Sequence, residues 1–438
     1  MGTEFAETVV IGGGQQGCSV AGALSRLGYQ ALVIERGEIG QAWANERWDS
    51  LRVNTPNRTV AFPDWPYDGD DPEGYMPARE VAGRLRSYVA AMGIQVRERT
   101  GVRMVEFPIG EALHEGARFR VHLDDGGTVE ARNVVAALGG YSSPRVPEVA
   151  AGVDLSVTQL HARYYRNPES LPSGAVLVVG AGNSGQQIAD DLRDAGREVY
   201  LAVGGHKTAP RRYRGAQILD WLQLLLPEGN LETASGGQPG GHGDSPVLPG
   251  VSVLSGKDGG QDLSLPILAA KGVTLVGSVR GAHGGVLRLE DNVRAVAQAA
   301  AHKESELLKA IDAAIEQQGL VVPEADPAPE HDPSLIKDYG STLDLVACGI
   351  TTIIWATGFV PDYGILPAEA LDQDGLPVHR RGMGTLPGLY YAGLPEAGSV
   401  MPLLIAATRN QAERVARHVQ MDNTLRHRSP MAIGGLWT

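Results

Sequence analysis

Cysteine is almost missing from this chain. Cys18 and Cys348 are the only two in 438 residues, both in segments that read as buried. That excludes a disulfide framework and makes a reducing cytoplasm the expected compartment. Positive charge is also short: 38 Lys and Arg stand against 51 Asp and Glu, a formal net charge of −13. Nucleic acid and anionic membranes are thereby poor main partners. No uninterrupted apolar run is long enough to cross a bilayer. The N-terminal MGTEFAETVV passes straight into an apolar strand with no signal peptide ahead of it. Histidines are scattered and neither HxxxH nor CxxC spacing occurs, so no metal site is expected. Glycine, in contrast, is plentiful at 57 residues, which suits repeated close approaches of backbone to phosphate. A hydrophobic share of 43% and a charged share of 20% are those of a soluble globular protein. The length calls for two or three domains.

The stretch TVVIGGGQQGCSVAGALSRLGYQALVIE, from Thr8 to Glu35, organises the rest. A β-branched strand, Thr8 to Ile11, runs into Gly12, Gly14 and Gly17 in GxGxxG spacing. A helical pattern follows, then a second strand from Ala31 to Ile34 ending on Glu35. Gly12 permits the sharp turn, Gly14 leaves room for a pyrophosphate beside Gln15, and Gly17 lets helix and strand pack closely. The first helical N–H groups face the phosphates. Glu35, with Arg36 next to it, is placed to accept from a ribose 2′-hydroxyl.

GEIGQAWANERWDSLRVNTPNRT then reads as a loop lying over a ligand, with Trp48 as much a core aromatic as a cofactor contact. A helix from Arg79 to Met92, strands Ile94 to Arg99 and Arg103 to Phe107, a hairpin around the turn at 124–127 and a buried strand Val134 to Leu138 complete a first lobe ending at Gly139. A second βαβ unit repeats the spacing: strand Val176 to Val179, then Gly180, Gly182 and Gly185 with Asn183 and Ser184 between them, a helix, and strand Val199 to Val203. No acid ends that second strand. AVGGHKTAPRRYRG follows instead, with Lys207, Arg211, Arg212 and Arg214, so a 2′-phosphate is the better guest and NADPH is favoured over NADH. A solvated cationic loop is the alternative for these residues. Tyr213 to Ile336 reads as an insertion without chemistry of its own, containing a long loop, Gly229 to Gly260, a hairpin, Leu275 to Val279 with Val286 to Leu289, a helix, Asn292 to Gln318, and a linker, Pro323 to Pro333. The last elements, including Ile350 to Trp355 with Ala356, Thr357 and Gly358 after it, are expected to return to the first sheet or the hinge. The fold class is therefore α/β: two Rossmann-like dinucleotide-binding domains of the three-layer ββα type, with a loop-rich insertion. Residues 1–155 and 340–438 are assigned to the first domain and 156–339 to the second.

These motifs resemble the class B flavoprotein monooxygenases, closest to the bacterial flavin-containing monooxygenase-like branch. The likeness rests on the two ordered GxGxxG motifs, the Trp43 loop with Asn54-Thr55-Pro56, His161, and Ala356-Thr357-Gly358-Phe359. It implies FAD at the first site and NADPH at the second. The family fingerprint FxGxxxHxxx(F/Y) is met only by His161 and Tyr165; Leu155 and Val157 depart from it, and Arg166 departs from the Trp-Pro ending of Baeyer–Villiger enzymes. Gly204-Gly205 stands where relatives place an Arg, and Leu138 where they place a Thr. By resemblance Trp43 flanks the flavin, Gln41, Leu51, Thr55 and Val102 line its site, and Asn54 sits near flavin C4a as the candidate catalytic residue. A local turn role is the alternative for Asn54, and a linker role is favoured for His161. Tyr75-Met76-Pro77 and Ser399 to Leu403 are candidates for the substrate side.

The implied reaction is NADPH-driven insertion of one atom of O2 into a small molecule at nitrogen, sulfur or electron-rich carbon, through a flavin C4a-hydroperoxide. An oxidase or dehydrogenase of the same fold, or a flavin-holding redox sensor, are the competing functions. A homodimer is compatible with all three. The pyridine-nucleotide disulfide oxidoreductases share the architecture but need a CxxxxC pair beside the flavin, and neither cysteine has such a partner, so membership there is not expected.

Overall fold

The computed structural model describes residues 4–110, 113–114, 116–225, 253–325, 333–394 and 405–428. The first sheet begins as read: β1 (Glu4–Ile11), α1 (Gln15–Arg26) and β2 (Leu32–Ile34) form a parallel βαβ unit. The Trp43 loop holds a short helix, α2 (Gln41–Asn45), that its sequence did not announce. Next come α3 (Ala78–Ala91), β3 (Gln95–Arg97), β4 (Val102–Glu106), β5 (Phe119–Leu123) and β6 (Thr128–Ala136). The two strands expected over 128–138 are one. Its first half pairs antiparallel with β5, and its whole length pairs parallel with β1.

The chain crosses to a second, all-parallel sheet built from β7 (Thr158–His161), β8 (Ala175–Val179), β9 (Val199–Val203) and β10 (Thr274–Gly277), with α4 (Asn183–Asp194) linking β8 to β9. Then follow α5 (Ile218–Leu225), α6 (Leu265–Ala270), β11 (Val279–His283), β12 (Val286–Leu289), α7 (Val293–Gln318), β13 (Thr342–Asp344) and β14 (Ile350–Trp355). Two expectations are corrected here. β14 does not return to the first sheet: it lies between β8 and β7, so residues 340–355 belong to the second lobe. Nor is 213–336 one insertion. β10 extends the parallel sheet, and β11, β12 and β13 form an antiparallel layer on its face, so the hairpin is β11–β12. What is added to the lobe is α5 packed on α7 through Ile218, Trp221, Leu307 and Ile311. Most of Gly229 to Gly260, the middle of Pro323 to Pro333, and Ser399 to Leu403 lie outside the described residues.

The chain crosses back where Phe359–Val360 pairs antiparallel with Ser143–Pro144, then places β15 (Leu389–Tyr391) beside β6 and α8 (Ile405–Arg428) on α1. Each lobe thus has three layers. In the first, Val20, Leu24, Leu85, Tyr88 and Val415 fill the helical side of the sheet, and Phe119, Val121 and Tyr363 the other. In the second, Ile188, Leu192 and Leu268 face Val176 and Val178, while Leu287 and Leu343 cover the opposite face with Leu177 and Trp355. These side chains are almost fully out of water, each contributing about 1.5–3 kcal/mol of transfer free energy.

Candidate functional site

At the end of β1, Gly12 adopts φ 110°, and a side chain there would overlap the carbonyl of Ala137, just past β6. A side chain on Gly17 would overlap the carbonyl of Gly12, so α1 can lie this close to β1 only with glycine there. Gly14 is different. It caps α1 in an extended conformation, and a Cβ built on it meets nothing within 4 Å. An open space therefore faces the unpaired N–H groups of the first helical turn, the surroundings a diphosphate requires.

The carboxylate of Glu35 accepts from Gly13 N at 2.6 Å and from Gly37 N at 2.8 Å, holding the glycine loop against the end of β2. Arg36 lies beside Gly101, because Thr100 N donates to Glu35 O at 3.0 Å. Trp43 Nε1 donates to Gln15 Oε1 at 2.9 Å, which brings that expected pair together over the start of α1. Gly139 takes φ 73° and its carbonyl accepts from Ser142 Oγ. Three others are engaged with their own neighbours. Gln41 accepts from Glu38 N and lies over Gly37. Leu51 is buried in the second lobe's core cluster together with Trp48, and Thr55 is buried, bonded to Thr59. Leu51 and Trp48 pack there because their loop lies against the second lobe.

The second lobe repeats the arrangement. Gly180 has φ 112° and backs onto Ala356 O, Gly185 backs onto Gly180 O, and Gly182 caps α4 with nothing within 4 Å of an added Cβ. Ala356, Thr357 and Gly358 follow β14 as Ala137, Leu138 and Gly139 follow β6, so that motif serves the second opening. Ser184 presents a partly exposed hydroxyl in the first turn of α4, whereas Asn183 Oδ1 is taken by Leu254 N at 2.8 Å. His161 Nε2 donates to Gly358 O at 2.9 Å while Nδ1 accepts from Arg163 N, which fixes a neutral tautomer. Burial lowers its pKa. It is a hinge pin between strand ends.

The cation cluster is corrected. Arg211 is buried, not part of a surface loop. It donates to Asn54 O at 2.6 Å and to Ser255 O, and stacks 4.6 Å from the ring centroid of Tyr75. Arg212 pairs with Glu73 and Arg214 with Asp312. Lys207 alone of the four is exposed and without an ion pair among the described residues. Burial pushes neighbouring His206 down to about 4, so at neutral pH it adds no charge. Glu290 reaches this edge from the end of β12, but its carboxylate is occupied by Ser278, Asn292 and Arg280. The physical reason is that a basic run in sequence carries no information on burial. The Arg211→Ala variant should lose about 3 kcal/mol of stability, since two buried carbonyls lose their donor, with its preference between phosphorylated and unphosphorylated nucleotide unchanged. Lys207→Ala should lose that preference. Thermal melts and nucleotide titrations measure the two effects.

Between the two openings lies a buried polar joint. Asn54 Oδ1 accepts from Gln187 Nε2 at 2.8 Å, and Gln187 also donates to Leu254 O. Gln187 is on α4, so the helix of the second opening orients the side chain of Asn54. Gln187 carried no signal in the sequence. Tyr75 and Met76 are buried packing residues and Pro77 caps α3. Cys18 is buried, donates to Gly13 O, and burial raises its pKa, so it is an inert thiol. Cys348 is half-buried near Tyr339.

A family model described as pyridine nucleotide-disulphide oxidoreductase matches residues 9–223. That match spans the nucleotide-binding framework, and the chain has no CxxxxC pair to go with it. An uncharacterized CzcO-like oxidoreductase of Geobacillus kaustophilus is 30% identical over 393 residues, 89% of this chain and 91% of its own length. Indole-3-pyruvate monooxygenase YUCCA1 of rice is 30% identical over 236 residues, 52% of this chain and 57% of its own. Among solved structures, a flavin monooxygenase mutant from Stenotrophomonas maltophilia superposes with a TM-score of 0.63 at 19% identity, covering 96% of this chain and 99% of its own. OTEMO in complex with FAD and NADP gives 0.54 at 16% identity, covering 96% and 86%. Both structures bear on the fold. No helix among the described residues is long and apolar enough to cross a membrane.

Proposed function

We propose, starting from the fact that this chain belongs with the CzcO-like oxidoreductases and is a flavin-dependent oxidoreductase, that it is an NADPH-using monooxygenase of small molecules. The observation that carries this is the pair of matching open cradles, at Gly14 and Gly182, joined through Asn54. FAD, when bound, supplies the hydride acceptance and the activation of O2.

The protein supplies the rest. The N–H groups of α1 hold one diphosphate, and Glu35 meets the adjoining ribose. The start of α4, with Ser184, holds the second diphosphate, and Lys207 meets the 2′-phosphate of NADPH. Gln187 fixes Asn54 so that its amide oxygen is occupied and its NH2 is left as the donor toward the reacting centre. Arg211 closes the joint from below and keeps water from it, which matters because water admitted there diverts reducing equivalents to hydrogen peroxide. The substrate belongs to the class oxygenated at nitrogen, sulfur or electron-rich carbon.

The test is turnover of the holoprotein with NADPH, 18O2 and a panel of amines, thioethers and indoles. Label in the product, one atom per NADPH consumed, is the expected result. Peroxide in step with NADPH and no labelled product from any member would give the oxidase function instead. Protein that stays colourless when FAD is supplied would remove both.

A further inference from the structure

Arg47 is a half-buried cation that makes no ion pair among the described residues. Its guanidinium lies 5.7 Å from the ring centroid of Trp43 and 5.6 Å from that of Tyr141, and its one hydrogen bond, among the described residues, goes to Glu46 O at 3.0 Å. The nearest acid, Glu46, is held by Arg163. Arg163 and Arg166 are themselves engaged with main-chain carbonyls of 142, 45, 163 and 165. Three guanidinium groups thus meet one carboxylate at the hinge of a chain whose net charge is −13. Burial, then the charges of Arg163 and Arg166, work against the Arg47 charge. A buried charge left like this is costly unless something anionic completes it. The aromatic faces offset part of the cost, about 0.5–2 kcal/mol.

Its place indicates what that is. Trp43 is tied to Gln15, the first residue of α1, and Tyr141 follows Gly139 at the end of β6. Arg47 therefore stands beside the first cradle, its guanidinium against the faces of Trp43 and Tyr141. The start of α1 already offers its N–H groups to a diphosphate, so a cation flanked by aromatic faces is left for the ring system of the same ligand.

We propose that Arg47 is a flavin-binding residue that sets the redox poise of the cofactor by offsetting the negative charge of reduction. This rests on FAD occupying the first cradle. A hydride brings two electrons and one proton, hence one net negative charge, to the ring, and Arg47 is a cation that can meet it without giving up an ion pair made among the described residues.

The test compares Arg47→Gln and Arg47→Lys with the unaltered holoprotein, reading the midpoint potential of bound FAD and its affinity for sulfite, a probe of negative charge on the ring. In Arg47→Gln sulfite binding should weaken about tenfold and the potential fall by the matching ~30 mV for a two-electron couple. Arg47→Lys should recover most of both. Should Arg47→Gln lose FAD while still binding NADP+ at the second cradle, the residue is equally placed at the flavin. An unchanged potential and sulfite affinity with FAD in place would overturn the proposal and leave the flavin assignment standing. Unaltered protein that holds no FAD would overturn both.

Discussion

Gly14→Val is expected to give a folded, colourless protein, and Gly182→Val a folded, yellow one that NADPH no longer reduces. Both glycines cap a helix with φ −80° and ψ near 180°, a backbone that a β-branched residue adopts without strain. A Cβ at either position meets nothing within 4 Å. Losing glycine at the cap costs about 1 kcal/mol at most, so the fold survives, but the valine methyls enter the space reserved for a diphosphate. For Gly182→Val the nucleotide Kd should rise about 100-fold, equivalent to about 3 kcal/mol, with flavin content unchanged. Gly17→Val and Gly185→Val serve as contrasts. Their side chains would overlap backbone carbonyls of the strand-end turn, so they should lose the fold and both cofactors together. Flavin absorbance, circular dichroism and nucleotide titration separate the cases. A Gly14→Val protein that keeps its FAD would refute the first cradle.

The contrast between these glycines was legible in the sequence because it is local. GxGxxG ties each glycine to a turn, an open cap or a helix contact within six residues of chain, and β1, α1, β2, β8, α4 and β9 form where that spacing puts them. What was not legible depends on partners distant in sequence. Ile350 to Trp355 reads as a buried strand in any parallel sheet. Only pairing with Ala175–Val179 and Thr158–His161 assigns it to the second lobe. Arg211 and Arg212 are adjacent in sequence and alike in charge, yet one is buried under Asn54 and the other is half-exposed beside Glu73. Asp190, inside α4, is buried and paired with both Lys257 and Lys271, residues about 70–80 positions further on. Charge in a sequence announces a need for a partner without saying which. Arg47 is the same case in reverse: among the described residues no carboxylate pairs with it.

Asn54→Ala should retain FAD and NADPH oxidation but lose about nine-tenths of the product formed per NADPH, the difference appearing as hydrogen peroxide. The size is that of one hydrogen bond to a charged group, about 1.5–3 kcal/mol, equivalent to tenfold or more. The variant is informative because the neighbouring bonds survive it. Gln187 keeps its bond to Leu254 O when its other acceptor is removed, and the bond from Arg211 goes to the main-chain carbonyl of residue 54, which alanine retains. One N–H of the buried Gln187 amide loses its acceptor, which costs about 1–3 kcal/mol of stability, but the other two bonds remain and the folded variant reports on the chemistry. Asn54→Asp sharpens the test. A carboxylate still accepts from Gln187 but has no NH2 to offer on its other side, so if that donor is the working group, Asp should uncouple as badly as Ala. Should Asp instead restore coupling, the working part of Asn54 is its tie to Gln187, and the helix of the second cradle, not the amide, controls the reacting centre. Coupling unchanged in both variants would reduce Asn54 to a turn residue between the lobes.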